Sequence, residues 1–305
     1  MICGIIDIGA NSIRLSIYRV EGKEARLLIN KKETAGLASY VKNKRLPPKG
    51  MEKACLVLNS FKDILDNLNI TEYHAFATAS LRNIDNTEEA VTYIQAHTGM
   101  KIDVLSGEDE AALGFAGASD RSGIQSGLVI DIGGGSTEIL EFFGNKILGA
   151  FSIPVGSLNM YAKYVAKIMP SDMALNRMSL EINGLLTGLA GPKDTSIKRI
   201  IGIGGTVRAA VKLCNEFFDY PSCNKEIQIE DLKQLLSRFR EPDSKVVKAV
   251  LRVAPERIHT IVPGLNILFN SAEYFGAEAI VANKNSIREG YVNSRILGGL
   301  AQCSN

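Results

Sequence analysis

Apolar and polar residues follow two periods along this chain. Ala54, Val57, Leu58, Phe61, Ile64, Leu65 and Leu68 recur at the three- and four-residue spacing of one helix face, which predicts a strongly amphipathic helix. Nearer the N-terminus the period is two. Ile13, Leu15 and Ile17 alternate with Arg14, Ser16 and Tyr18, the pattern of a half-buried strand returning in a hairpin from the apolar run at Ile5 and Ile6. Residues 73–78 and 102–105 read as further strands, and Ser106 with Asp109 opens a helix at capping-box spacing. Arg199–Ile203 reads as a strand running into Gly204, Gly205 and Thr206, with a helix over 207–213 and a last helix over about 286–300. The polar, basic stretch 36–49, punctuated by Pro47 and Pro48, predicts an exposed loop.

One local pattern occurs twice. Asp7, Ile8, Gly9 and Ser12 recur as Asp131, Ile132, Gly133 and Ser136, at a constant offset of 124 residues (131 − 7). Each copy follows a short apolar run, as expected of a buried strand that ends in a turn. Strands alternating with helices around this repeat predict a duplicated α/β architecture. The boundary falls near 115–125, where Gly114, Gly117, Ser122 and Gly123 loosen the chain, giving domains 1–120 and 121–305 with the final helix free to pack back on the first. Ligands in such folds bind at strand ends, here expected between the halves.

Composition narrows the function classes. The 305 residues are 46% hydrophobic and 22% charged, ordinary for a chain that folds into two cores. A net charge of +2 argues against a general nucleic-acid binder or a chain held on a membrane by bulk charge, so any anion site must be local. Cys3, Cys55, Cys214, Cys223 and Cys303 are odd in number and lack CxxC spacing, which fits free thiols in a reducing cytosol. The N-terminus has no basic leader and no apolar run reaches membrane length, so a cytoplasmic protein without membrane or nucleic-acid partners is expected.

The candidate chemistry lies in three glycine turns. In LVIDIGGGSTEIL, Gly133, Gly134 and Gly135 follow a strand, and glycine lets backbone N–H groups close on an anion with no Cβ in the way. A phosphate cradle is one reading and a tight hairpin the other. Asp131, just before the loop, suits a hydrated magnesium ion, and Asp7 is positioned identically. The third turn, GIGGT at 202–206, ends a strand and opens a helix whose N-terminal N–H groups form a second anion site. It matches neither the Rossmann nor the P-loop pattern. Arg208 and Arg257 are weaker phosphate candidates. His74, His97 and His259 are not spaced as ligands, and the lysines near 42–45 and 245–248 read as solvated faces.

The segments DIGANSIRL (7–15), ATASLRN (77–83), VLSGEDEAALGF (104–115), DIGGGSTEI (131–139), GIGGT (202–206) and ERIHTIVPGLNIL (256–268) together resemble the exopolyphosphatase and guanosine pentaphosphate phosphohydrolase family (Ppx/GppA). The resemblance implies two actin-like, ribonuclease H-like domains of the actin/hexokinase superfamily with an interdomain cleft. It also implies magnesium-dependent cleavage of a terminal phosphoanhydride by water, with a monovalent cation such as K+ and a homodimer as further expectations by analogy. Inorganic polyphosphate is the leading substrate, guanosine pentaphosphate the alternative, and a kinase or a non-catalytic phosphate sensor are more remote readings. Glu110 and Glu138 match the family's active-site glutamates, Glu110 for orienting and deprotonating the attacking water and Glu138 assisting through magnesium or as the base itself. Asp7, Asp131 and Glu138 are the expected metal ligands. Asn11, Ser12, Arg14, Arg82, Gly133, Gly134, Gly135, Ser136, Thr137, Gly204, Gly205 and Thr206 are the expected phosphate contacts. Glu110 falls in the first turn of its helix, where the dipole stabilises its carboxylate, so it is expected to orient water more than deprotonate it. One departure is KKETAGLAS at 31–39, where the family carries a VRLG-like basic segment. The longer members append helical C-terminal domains, and without one, short substrates or weak processivity are expected.

Overall fold

The computed structural model describes residues 1–118, 124–189, 197–240 and 242–298. The chain divides into two compact units: Met1–Ala116 together with the segment from Ile287, and Gly117–Ser286.

The first unit holds β1 (Ile2–Ile8), β2 (Ser12–Glu21), β3 (Glu24–Thr34), β4 (Tyr73–Ala77) and β5 (Ile102–Val104) in the order β3-β2-β1-β4-β5. The hairpin pairs are antiparallel and the β1–β4 and β4–β5 pairs parallel. The helix Pro48–Asn67 covers one face with Ala54, Leu58, Phe61 and Leu65 of the expected stripe together with Met51, while Leu68 falls past the helix end and is exposed. Proline at its first position lacks only an N–H that the helix leaves unbonded anyway. The opposite face is covered by the C-terminal segment, whose Ile287, Tyr291 and Val292 pack with Cys3, Ile5 and Phe76. Tyr291 stacks on Phe76 at 5.1 Å.

The second unit holds β6 (Ser126–Ile132), β7 (Thr137–Phe143), β8 (Lys146–Ile153), β9 (Arg199–Ile203), β10 (Glu226–Gln228) and β11 (Ala279–Ala282) in the order β10-β11-β9-β6-β7-β8. Stripped of the added antiparallel β10, this is the first sheet again. β6 spans the residues 124 positions beyond β1, with the same alternation of burial. A break in register falls between Ile17 and Tyr18 on β2 and, at the same offset, between Glu141 and Phe142 on β7. The turn bond is repeated too: Gly9 N donates to Ser12 O at 3.1 Å and Gly133 N to Ser136 O at 2.9 Å. The repeat therefore extends to register, bulge and turn. The main core of this unit gathers Leu128, Ile130 and Ile132 with the helices Asp172–Thr187, Gly204–Phe217 and Ile261–Tyr274.

Three expectations change. The stretch 36–49 is not a simple exposed loop, because it contains the helix Leu37–Tyr40 and buries Leu37 and Leu46 completely. The tail is not one regular helix: Ile287–Tyr291 is α-helical and Val292–Ile296 winds into a π-helical turn. The edge strand β3 escaped prediction because nearly all of it is exposed, which removes the alternation that marks a half-buried strand. Among the described residues Cys3, Cys55 and Cys214 are buried free thiols and Cys223 an exposed one, while Cys303 lies outside them. Burial pushes the Cys3 thiol up to about 11 and Cys214 up to about 12. No helix among the described residues is long and apolar enough to cross a membrane.

Candidate active site

In the first unit, Asp7 lies at the end of β1 directly opposite Arg14 of β2, with Lys32 of β3 next in the row. Directly opposed residues of antiparallel strands share a face, so one carboxylate shares this face with two cations. A third cation comes from the C-terminal segment: Arg288 Nε lies 3.9 Å from Asp7 Oδ2. Burial pushes the Asp7 carboxyl up from its ordinary range, and the Arg288 and Arg14 charges pull it back. The turn between β1 and β2 is tied down by its carbonyls. Ala10 O accepts from Ala38 N, and Asn11 O accepts from the N–H groups of Ala35 and Gly36.

The same unit brings together Arg82 and Glu110. Arg82 closes the short helix Ala79–Arg82 that follows β4, and Glu110 sits in the first turn of Gly107–Ala118. Ser106 caps that helix, its Oγ accepting from Asp109 N at 3.0 Å. Arg82 donates to Glu110 Oε2 at 2.6 Å and to Leu105 O at 3.2 Å, and both charged side chains are largely buried. The Glu110 carboxylate is thereby fixed by a charge-assisted bond as well as by its helix dipole.

In the second unit the corresponding row reads Asp131, Glu138, Ser152. Where the first sheet sets arginine opposite aspartate, the second sets glutamate opposite aspartate. Glu138 is buried, and its Oε1 accepts from Ser136 Oγ at 2.6 Å and Ser152 Oγ at 2.9 Å. The Ser136 hydroxyl thus serves Glu138, and Thr137 Oγ1 donates to Val155 O, so both side chains support the loop.

The glycine loop is held from behind. Gly133 O accepts from Ser157 N, Gly134 O from Leu158 N and Asn159 N, and Gly135 O from the Asn159 side chain. No described peptide bond is cis, and in a trans peptide the C=O of one residue opposes the N–H of the next. The N–H groups of Gly134, Gly135 and Ser136 therefore face away from the helix Ser157–Tyr164, in the arrangement that makes an anion nest. Gly156 is required by the same packing, since a Cβ there would overlap the backbone of Gly134 and Gly135.

The third turn completes this unit. Gly204 has φ +88°, and a Cβ on it would stand 2.6 Å from Asp131 Oδ1. At Gly205 a Cβ would overlap the Arg257 guanidinium, so glycine here admits an arginine against the start of the helix Gly204–Phe217. Burial lowers the Arg257 pKa from its ordinary value; Glu256 opposes that shift, Arg208 adds to it and Asp131 opposes it. Arg257, ranked low from sequence, is thus held beside Asp131 and the glycine turn. Thr206 instead points into the core, where it packs on Gly264. Arg288 was missed altogether, and Ser152 was missed because its strand was. The three histidines make local contacts: His74 with Glu72, His97 with the Tyr93 carbonyl and His259 with the Tyr161 ring.

Comparison with known proteins then decides the family. Residues 16–298 match the Ppx/GppA phosphatase family. The chain belongs to that family. A bifunctional 3-dehydroquinate synthase/phosphatase of Fusobacterium nucleatum is 28% identical over 297 residues, which are 92% of this chain and 44% of the relative. The chain thus spans less than half the length of that curated relative. Two solved structures share the fold. The Aquifex aeolicus Ppx/GppA family member has 24% identity and a TM-score of 0.78, covering 99% of each chain. An exopolyphosphatase from Cytophaga hutchinsonii has 21% identity and a TM-score of 0.85, covering 98% of this chain and 99% of that one. Both units of this Ppx/GppA family member are actin-like α/β domains.

Proposed function

We propose that this chain hydrolyses the terminal phosphoanhydride of inorganic polyphosphate and releases orthophosphate. The observation that carries the reading is the glycine loop of the second unit. It turns three successive N–H groups to one side, next to the Asp131–Glu138 pair. Backbone donors with Arg257 would hold the phosphate oxygens, and Gly205 is what lets that guanidinium approach. Magnesium fits Asp131 and Glu138, two hard oxygen donors side by side, because it typically binds through one or two carboxylates and completes its shell with water and substrate phosphate. Among the described residues no cluster of three His, Cys, Asp or Glu side chains could cage a metal, so phosphate oxygens would belong to the shell. When bound, the ion would offset the charge on the phosphates.

Glu110 is the residue for the water. Phosphoryl transfer through a loose transition state asks for an aligned nucleophile more than for a strong base. A carboxylate held by Arg82 at 2.6 Å suits that task. Asp7 has Arg14 and Arg288 beside it, which offset part of the cost of its burial, and it would orient the first loop.

The test is orthophosphate release from polyphosphate with magnesium, wild type against Glu110→Ala. Equal release from both proteins would overturn the reading. Comparing kcat/KM for polyphosphate and guanosine pentaphosphate assigns the substrate, with the larger value expected for polyphosphate.

A further inference from the structure

A buried arginine on an apolar helix face needs a reason. On Ile287–Tyr291 and the turn after it, Ile287, Arg288, Tyr291 and Val292 form the buried face, and three of the four pack against the first sheet as hydrocarbons do. Arg288 is only 7% exposed, and taking a guanidinium out of water is expensive unless it is paired. Its partners lie on that sheet. The Nη1 donates to Ser16 Oγ at 3.1 Å and reaches Asn30 Oδ1 at 3.5 Å, and these two residues are register partners on β2 and β3. The Nε faces Asp7 two positions along the same face. The next residue locks the placement, because Glu289 accepts from the Tyr18 hydroxyl at 2.8 Å. Consecutive residues thus clamp Ser16 and Tyr18 while Tyr291 stacks on Phe76. A methionine would fill the same space without a charge, so packing alone does not account for arginine.

We infer that Arg288 is a positioning residue of the first phosphate loop, carried by the C-terminal segment, which acts on the reaction through Asp7. The inference rests on the role given to Asp7 above. It makes the C-terminal segment part of the working first unit and explains why a charge is kept on its buried face.

The experiment is a double-mutant cycle on orthophosphate release from polyphosphate, with wild type, Arg288→Met, Asp7→Asn and the double variant. Arg288→Met is expected to lower kcat by about 10- to 100-fold, as misplacement of a site loop by about an ångström does, while KM changes by less than about threefold. The double variant is expected to match Asp7→Asn alone, because a residue acting through Asp7 has nothing left to act on. A purely structural role would multiply the two losses, and that result overturns the inference. Arg288→Lys keeps the charge and is expected to fold, to lose several-fold in kcat, and to lose nothing further on the Asp7→Asn background; it serves as the readout if Arg288→Met does not fold. Should Asp7→Asn alone leave kcat unchanged, the role of Asp7 falls and this inference with it. Should Asp7→Asn cripple turnover and the losses multiply, only the inference falls.

Discussion

The two units share one frame and differ in the residue set opposite the aspartate. β1 and β2 bring Asp7 to Arg14, and β6 and β7 bring Asp131 to Glu138, with the same turn bond and the same bulge. In the first unit Arg14 and Arg288 offset part of the cost of burying the carboxylate. In the second, two carboxylates stand side by side with Arg257 near Asp131, and in the proposed reading they share a cation from outside. Duplication therefore preserved the scaffold while the pair opposite the aspartate diverged, so position in the repeat does not by itself assign a role. The glycine turns follow the same division. The second unit holds Gly133 and Gly134 by backbone bonds from a helix N-terminus and Gly135 by the Asn159 side chain. In the first unit the carbonyls of Ala10 and Asn11 are held by the N–H groups of Ala38, Ala35 and Gly36.

The largest effect should come from the pair itself. Glu138→Gln is expected to cut kcat by about 100- to 10,000-fold. Arg14→Gln, at the equivalent place, is expected to cost about tenfold or less, mainly in KM, as loss of a phosphate or loop contact would. Steady-state kinetics of both variants check this, and equal losses would erase the distinction between the units. Next is the Arg82–Glu110 pair, which belongs to the first unit alone. Arg82→Met leaves a largely buried carboxylate without its cation and should destabilise the fold by about 3 kcal/mol, read from urea unfolding. An unchanged unfolding midpoint would mean that the pair is not formed in solution. Gly205→Ala pushes the Arg257 guanidinium off its place and should lower kcat/KM by about 10- to 100-fold, with little change in Tm. The smallest effects are at the caps. Ser106→Ala in the first unit and Ser171→Ala in the second each remove an N-cap bond worth about 1 kcal/mol. Only Ser106→Ala should also alter kcat, because only its helix carries Glu110.

Much of this was legible in the sequence where local chemistry decides. The repeat of Asp7 at Asp131 announced two like domains, and the glycines of 133–135 and 204–205 marked the places where backbone or a guanidinium must approach closely. The exchange of Arg14 for Glu138 was also present at the same offset, readable once the repeat was extended along β2 and β7. Edge strands were harder to see. β3 is mostly solvated and β8 only partly buried, so neither shows the clean alternation that burial on one face imposes. Arg288 had no local signal, because its meaning depends on partners at the opposite end of the chain. The Thr206 side chain carried no local signal either, since only tertiary packing turns it toward Gly264, whereas the anion site expected at GIGGT uses backbone N–H groups.

The central claim is that the cation belongs to the Asp131–Glu138 pair and not to Asp7. Manganese, which is paramagnetic and takes oxygen ligands as magnesium does, can be titrated into wild type, Asp131→Asn, Glu138→Gln and Asp7→Asn in the presence of orthophosphate and followed by electron paramagnetic resonance. Asp131→Asn and Glu138→Gln are expected to weaken binding by at least about tenfold, and Asp7→Asn by less than about threefold. Loss of manganese binding in Asp7→Asn, with wild-type binding in Glu138→Gln, would contradict the account.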